Sequence, residues 1–193
     1  MQDVATHVHT AVLVEGDSDR CAVEALARRH GRRLAAEGVA VVAIGGATNA
    51  GHAVRRYGPA GRALRLVALC DVAEVSHFAR ALDAWRHAFD AGDPAAGGLF
   101  VCHADLEDEL IRAFGTGATV AFVEAQGEGP AFDTFRRQPH QRGRPLAAQL
   151  RRFIGTKSGR KTRYGAALVE AMALDAIPSP LAGVLELAGS APA

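Results

Sequence analysis

Acidic side chains are concentrated where a buried strand is expected to end. The apolar run Ala11–Val14 is followed directly by Glu15-Gly16-Asp17-Ser18-Asp19, which places three carboxylates within five residues. Carboxylates this close repel one another, and the repulsion disfavours their ionisation unless a cation neutralises them. Mg²⁺ suits such a place, because it binds through one or two protein carboxylates and keeps several waters for phosphate oxygens. The segment therefore predicts a site for a divalent cation.

Two further groups of acids follow later apolar runs. Asp71 comes directly after an apolar run, and the cluster Glu107-Asp108-Glu109 opens a later helical pattern. The position of an aspartate at the end of a buried strand indicates a ligand, because ligands bind at this edge of a parallel sheet. Glu107 is either a ligand or an acid that favours the positive end of its helix, and Asp108 and Glu109 are typical of an exposed surface.

Short apolar runs alternate with longer helical patterns along the chain. The runs typical of strands are Ala11–Val14, Val39–Ile44, Leu64–Leu69, Gly98–Cys102 and, less clearly, Thr119–Val123. The helical patterns are Asp19–Ala36, Asn49–Tyr57, Val75–Phe89, Leu106–Phe114, Ala147–Ile154, Tyr164–Leu174 and Leu181–Leu187. This alternation predicts an α/β domain with a mostly parallel sheet of four or five strands and helices on both faces. Ligands bind such sheets beyond the carboxyl ends of the strands, which is where Glu15 and Asp71 are expected to lie.

Composition bounds the class of protein. The chain has 193 residues, of which 49% are hydrophobic and 22% charged, as is ordinary for one soluble domain. Cys21, Cys70 and Cys102 have no metal-ligand spacing, and the chain opens without the apolar segment of a signal peptide. No apolar run approaches the roughly 20 residues of a membrane helix. We therefore expect a cytoplasmic protein without a membrane partner.

The charges are segregated, although the net charge is only +1. Residues 102–133 contain seven Asp or Glu and a single basic residue, Arg112. Residues 134–169 contain ten Lys or Arg and no acid, and the stretch 155–163 reads as a basic loop that contains glycines. This pattern indicates either metal ligands beside a surface that binds a polyanion, or two solvated faces of different charge.

Four motifs in order resemble the TOPRIM domain of the OLD (overcoming lysogenization defect) family nucleases. The stretch "VLVEGDSDRCAVEAL" is similar to the opening motif of that domain in its EGxSD form. Asp71 stands where the family has its DxD motif, "ADLEDEL" (104–110) resembles the Leu-Glu motif, and "SGRKTRYGAAL" (158–168) resembles a segment that carries a lysine. The resemblance covers residues 9–175.

The resemblance implies both a fold and an activity. The fold would be a Rossmann-like TOPRIM domain at residues 9–129, with residues 130–193 forming a basic helical extension packed on it. The activity would be that of a metal-dependent endonuclease, in which metal-activated water hydrolyses phosphodiester bonds of DNA, or of RNA. The oligomeric state stays open.

The resemblance also implies roles for individual residues. Metal ligands would be Glu15, Asp19, Asp71 and Glu107, holding two Mg²⁺ or Mn²⁺ ions that stabilise the attacking and leaving oxygens. Glu15 and Lys161 would be catalytic. The flanking phosphates would be held by Lys157, Arg160 and Arg163. The pair Gly45-Gly46 either lets a phosphate approach the backbone or forms a tight turn.

The chain departs from the family pattern in two respects. The DxD motif reads Asp71-Val72-Ala73-Glu74, so Ala73 replaces the second acid, and the neighbouring Glu74 is displaced by one residue and expected to point elsewhere. This departure puts the second metal ion in question. No GxxxxGK[ST] phosphate loop is present, so the chain would be a stand-alone TOPRIM unit that uses a separate ATPase partner or none.

Two other functions are compatible with the residues. A domain that has lost the second acid of its DxD motif could bind nucleic acid or a partner ATPase without cutting. A phosphoacceptor signalling domain also has acids after its first strand, an aspartate after its third and a lysine on a later loop. Against that reading, the basic loop here arrives far beyond Asp71.

Overall fold

Four short runs rich in valine, alanine and leucine form one parallel sheet. The computed structural model describes residues 5, 7–83, 94–157 and 159–189. The strands are β1 (Thr10–Val14), β2 (Val39–Ala43), β3 (Arg65–Asp71) and β4 (Leu99–Cys102), in the order β2-β1-β3-β4. All three pairings are parallel. Because each crossover between parallel strands needs a long connection, helices are carried onto the faces of the sheet.

Nine α-helices lie within the described residues and complete the α/β fold that the sequence predicts. They are α1 (Asp17–Arg29), α2 (Ala50–Tyr57), α3 (Val75–Asp83), α4 (Leu106–Phe114), α5 (Thr116–Ala125), α6 (Gly129–Arg137), α7 (Leu146–Gly155), α8 (Arg160–Ala171) and α9 (Ser179–Gly189). Short 3-10 turns occupy Ala47–Asn49, Val72–Glu74 and Leu174–Ala176. In this part of the chain no helix combines the length and the apolar character that crossing a membrane would require.

The sheet separates two apolar cores, because successive side chains of a strand point to opposite faces. On one face, Leu13 of β1 packs in a cluster that includes Tyr57 of α2 and Phe78 of α3. On the other face, Val12 belongs to a cluster built with α1 and with α4 to α9. The prediction of helices on both faces is therefore confirmed.

The fifth strand that the sequence suggests is not formed. Thr119–Val123 lies within α5, where Thr119 and Val123 are buried one turn apart. The Thr119 hydroxyl donates to the Gly115 carbonyl at 2.8 Å, which accommodates a β-branched residue in the helix. Packing against neighbouring helices thus outweighs the local preference for a strand.

Other predicted boundaries also shift. The first helix ends at Arg29, well before Ala36, and Gly31 follows in a left-handed conformation with φ of 68°. The basic loop predicted at 155–163 is shorter, because α7 extends to Gly155 and α8 begins at Arg160. The last part of the predicted helix Val75–Phe89, beyond Asp83, lies outside the described residues.

The basic C-terminal region packs into the same core as the sheet. Phe132, Phe153 and Leu168 belong to one buried cluster with Val12 and Val23. Helix α8 lies along α1, where the Arg29 guanidinium donates to the carbonyl of Val169 at 2.8 Å and to that of Met172 at 2.6 Å. Helix α8 is therefore held directly against the helix that follows β1, and with it the predicted catalytic residue Lys161.

Candidate metal centre

The carboxyl ends of β1, β3 and β4 bring acidic residues to one edge of the sheet. Val14 is paired with Leu69 and Asp71 with Cys102, so Glu15 and Asp71 emerge at nearly the same level of adjacent strands. Neighbouring strands are about 4.8 Å apart, which places these two residues side by side. Asp105, at the start of α4, follows the end of β4. We call the acids Glu15, Asp19, Asp71, Asp105 and Glu107 the acidic centre.

The turn after β1 is fixed by backbone hydrogen bonds. The amides of Gly45 and Gly46 both donate to the carbonyl of Glu15 at 3.1 Å, and the two glycines have φ of 74° and 108°. Side chains other than hydrogen are disfavoured at such angles, which accounts for a glycine pair here. Since both amides are already bonded to the protein, the predicted contact of Gly45 and Gly46 with a phosphate is not supported. The pair instead positions Glu15.

Asp19 faces the same turn from the first turn of α1. Its Oδ2 accepts a hydrogen bond of 2.9 Å from the amide of Gly16, the N-cap residue of α1. Burial raises the pKa of Asp19, although the Gly16 amide and the charge of Lys161 act in the opposite direction. By contrast, the carboxylate of Asp17 is exposed and paired with Arg20 at 2.9 Å. Of the two aspartates in this segment, only Asp19 faces the acidic centre.

The acidic centre has more negative charge than its surroundings neutralise. Burial, followed by the charges of Asp19, Asp105 and Glu15, raises the pKa of Asp71 to about 7. Burial and the charges of Asp19 and Glu74 likewise raise the pKa of Glu15. These shifts follow from desolvation and like-charge repulsion, and both are relieved by a bound cation.

Glu107 and Lys161 form an ion pair at the border of the acidic centre. Glu107 is only 2% exposed, and the Lys161 ammonium lies 3.0 Å from its Oε2. Burial raises the pKa of Glu107, while the adjacent ammonium opposes that rise. Oε2 therefore has the ammonium as its partner, whereas Oε1 has no hydrogen-bond donor among residues 5, 7–83, 94–157 and 159–189. Glu107 thus retains one oxygen that can accept a ligand.

Two acids of this edge were not assigned a role from the sequence. Asp105 caps α4 by accepting from the amide of Asp108 at 2.8 Å, and its other oxygen lies 2.6 Å from Nε of Arg151. Glu109, expected at the surface, is instead buried, where it accepts from the His103 amide at 2.8 Å and pairs with Arg112. An aspartate directly before a helical pattern is a typical N-cap, and that signal could have identified Asp105.

Glu74 also lies closer to the centre than its position in the sequence suggests. Strand β3 ends at Asp71, and the 3-10 turn Val72–Glu74 follows immediately. The turn removes the strand alternation on which the expected direction of Glu74 depended. Glu74 is near enough to raise the pKa of Glu15 through its charge.

The donor set fits a hard divalent cation. Four of its five carboxylates have raised pKa values, and Oε1 of the buried Glu107 has no hydrogen-bond donor among the described residues. Within the described parts of the chain, no three His, Cys, Asp or Glu side chains are arranged closely enough to hold an ion. Mg²⁺ needs only one or two protein carboxylates besides its waters, so this spacing is compatible with its coordination.

The predicted phosphate-binding residues divide into buried and exposed ones. Arg160 is only 8% exposed, its Nη1 donates to the Phe153 carbonyl at 2.8 Å, and its guanidinium lies 4.0 Å from the Phe153 ring centroid. Its Nε lies 2.9 Å from Glu128, which also pairs with Arg163 at 2.8 Å. Arg160 therefore stabilises the helical packing and is not placed to hold a phosphate, contrary to the prediction. Lys157 is exposed between α7 and α8, and its role stays a prediction.

Comparisons with known proteins agree with this architecture. Residues 8–71 match the family described as overcoming lysogenization defect protein-like, TOPRIM domain. The C-terminal region of the Xanthomonas campestris pv. campestris OLD protein is 25% identical, with a TM-score of 0.68 over 94% of this chain and 95% of that one. The C-terminal region of the Burkholderia pseudomallei OLD protein is 23% identical, with a TM-score of 0.66 over 94% and 96% of the two chains. No curated protein sequence matches significantly.

Proposed function

We propose that this chain, whose residues 8–71 are an OLD-like TOPRIM domain, is a divalent-metal-dependent nuclease that hydrolyses phosphodiester bonds of DNA. The observation that carries the proposal is the acidic centre, in which half-buried carboxylates at the ends of three strands share one edge with the buried Glu107 and the Lys161 ammonium. Packed carboxylates that repel one another are unfavourable unless a cation joins them. A separate ATPase partner stays a prediction.

Each residue of the centre has a distinct proposed role. Glu15, Asp19, Asp71 and Glu107 would hold Mg²⁺ or Mn²⁺. Held there, these ions would supply activation of the attacking water and neutralisation of the charge that develops on the phosphodiester oxygens. Glu15 is held in place through its carbonyl by Gly45 and Gly46. The Lys161 ammonium, oriented by Glu107, would stabilise negative charge on the phosphate.

The number of bound ions depends on whether another acid takes the place of the second acid of the DxD motif, which is Ala73 here. Ala73 has no donor, whereas the charge of Glu74 already acts on Glu15. We propose that Glu74 compensates for Ala73 at the edge of the centre. Anomalous scattering from a crystal soaked in Mn²⁺ would count the ions, and a comparison with Glu74→Ala would show whether this side chain holds one of them.

Plasmid cleavage tests the nuclease directly. Supercoiled DNA is incubated with purified protein and Mg²⁺ or Mn²⁺, and relaxed and linear products are quantified. We expect Asp71→Asn to slow cleavage by at least about 100-fold, because it removes a charge from the group that stabilises the reaction. Asp17→Asn is the matched control, since Asp17 is exposed and paired with Arg20, and should cleave like the parent. Intact plasmid with both metals and a folded protein would contradict the proposal.

A binding module that does not cut is the second candidate, and a specific observation favours it. Ala73 replaces the second acid, and the described residues do not bring three potential ligands together. Calorimetric titration with Mn²⁺ separates the two candidates. Tight binding of metal together with cleavage supports the nuclease, whereas weak or absent binding of metal together with retained binding of DNA supports the module.

A further inference from the structure

A groove lined by arginines runs from the acidic centre along α7. We call it the arginine groove; it has a volume of about 740 Å³, and its lining includes Arg144, Arg151, Arg152, Asp105, Glu107 and Lys161. Helix α7 is amphipathic at this place. Ala148, Arg151 and Gly155 lie on the face towards the groove, whereas Leu150 and Phe153 are buried on the opposite face. The helical period thus brings Arg151 and Arg152 to the groove and leaves the apolar side chains in the core.

Two of the four basic side chains that line this groove are available to a ligand. Arg144 and Arg152 are exposed, and neither forms an ion pair with any of residues 5, 7–83, 94–157 and 159–189. Arg144 donates from Nε to the His140 carbonyl at 3.0 Å, which orients its guanidinium without neutralising it. Arg151 is different, since it is paired with Asp105 of the acidic centre at 2.6 Å.

The shape of the groove suits a chain backbone. Ala148 and Gly155 contribute almost no side chain to its lining, and a Cβ atom added at Gly155 would meet nothing within 4 Å. The volume exceeds what one phosphate requires, and no large apolar side chain lines it, unlike the core of a protein-docking site. A separate cavity beside α6 is also lined mainly by basic side chains, namely Arg136, Arg137 and Arg142, together with Asp133.

We propose that the arginine groove binds the sugar-phosphate backbone of the nucleic acid strand next to the phosphodiester that is cleaved. Arg144 and Arg152 hold phosphates of that strand, and Arg151 is a positioning residue that orients Asp105. This inference rests on the proposed function. The groove leads the nucleic acid substrate of the proposed nuclease to the acidic centre. The proposal assigns to Arg144, just before α7, and Arg152, within α7, the backbone contact that the resemblance assigned to Lys157, Arg160 and Arg163.

Binding measured without divalent metal tests the groove separately from catalysis. Fluorescence anisotropy of a labelled DNA oligonucleotide in EDTA, over a series of salt concentrations, compares the parent with Arg144→Ala/Arg152→Ala. We expect the double variant to bind at least about 10-fold more weakly. The slope of log K against log[salt] should fall by about 1.4 for a single strand, since each lost phosphate contact accounts for about 0.7. An RNA strand of the same sequence tests whether the contact depends on the sugar.

Arg33→Ala is the control for loss of charge. Arg33 is exposed on the segment that leads into the amino end of β2, at the edge of the sheet opposite the acidic centre. This variant should bind like the parent. The groove proposal is overturned if Arg144→Ala/Arg152→Ala binds DNA with the affinity and salt slope of the parent. It is also overturned if Arg33→Ala loses as much affinity for DNA as the double variant. Circular dichroism verifies that each variant is folded.

The outcomes separate the two proposals. If the groove variant binds DNA more weakly and the parent cleaves DNA with neither metal, the groove proposal stands and the nuclease proposal fails. If the parent cleaves DNA and the groove variant binds DNA as tightly as the parent, the nuclease proposal stands and the groove proposal fails.

Discussion

Asp71 links the charge of the acidic centre to the stability of the protein. Its pKa is raised to about 7 from an ordinary value of 3.8, mainly because the carboxyl group is buried. The folded protein therefore retains a proton that the unfolded chain has lost. Without metal, we expect the free energy of unfolding to contain a contribution from Asp71 that is complete below about pH 4 and lost by about pH 7.

Urea denaturation in EDTA at several pH values measures this contribution. Asp71→Asn should flatten the decline over that range, because its amide does not titrate. Mn²⁺ should stabilise the parent more at pH values above 7 than below, since the ion competes with the proton. Parallel profiles for the parent and Asp71→Asn would show that this carboxyl group is not responsible.

The sequence was enough to locate the acids at the ends of strands, but it was not enough to tell which basic residues are buried and which are exposed. Glu15 and Asp71 follow directly after apolar runs, so the topology of a parallel sheet was enough to place them together. Nothing local distinguishes Arg160 from Arg152. The first is buried against Phe153 and the second is exposed to the groove, and only the packing of α7 against α8 decides this.

Helices α1 and α8 pack closely, and Gly165 makes this approach possible. A Cβ atom at Gly165 would lie 3.2 Å from the carbonyl oxygen of Ser18, on the helix that carries Asp19. We expect Gly165→Val to lower the free energy of unfolding by about 2 kcal/mol, because an overpacked contact forces the helices apart. Lys161 is one turn from Gly165, so the variant should also lose activity.

Gly51→Ala is the matched control for this prediction. Gly51 lies in α2, and an added Cβ atom would meet nothing within 4 Å. Alanine should therefore stabilise the protein by about 0.5–1 kcal/mol through its higher helix propensity. Urea denaturation compares the variants, and a Gly165→Val protein as stable as the parent would contradict the close contact.

At the level of secondary-structure elements, short continuous apolar runs predicted the strands whose two faces are both buried. The runs around Val12, Val41 and Val67 are continuous and short, as expected of a central parallel sheet. The same reasoning failed at Thr119–Val123, because a short β-branched run is also compatible with a helix packed on its neighbours. Tertiary contacts, which the local sequence does not contain, decided between the two.

The molecule as a whole has a core that crosses the predicted domain boundary. The family resemblance implied a TOPRIM domain at 9–129 with an extension packed on it, and Phe132, Phe153 and Leu181 of that extension are buried with Val12 and Val23. We expect a fragment of residues 1–129 to aggregate and to lack a cooperative thermal transition, because this apolar surface would face water. A cooperative transition in the fragment, measured by circular dichroism, would show that it is an autonomous domain.

The order of charges along the polypeptide has a consequence for its synthesis. The carboxylates of the acidic centre lie between Glu15 and Glu107, whereas Arg144, Arg152 and Lys161 come later. The first 133 residues contain 18 Asp or Glu and 12 Lys or Arg, so a nascent chain translated to this point has a net charge of −6, and ten more Lys or Arg follow in residues 134–169. Products of premature termination before residue 144 therefore lack every basic side chain that we propose to hold phosphates.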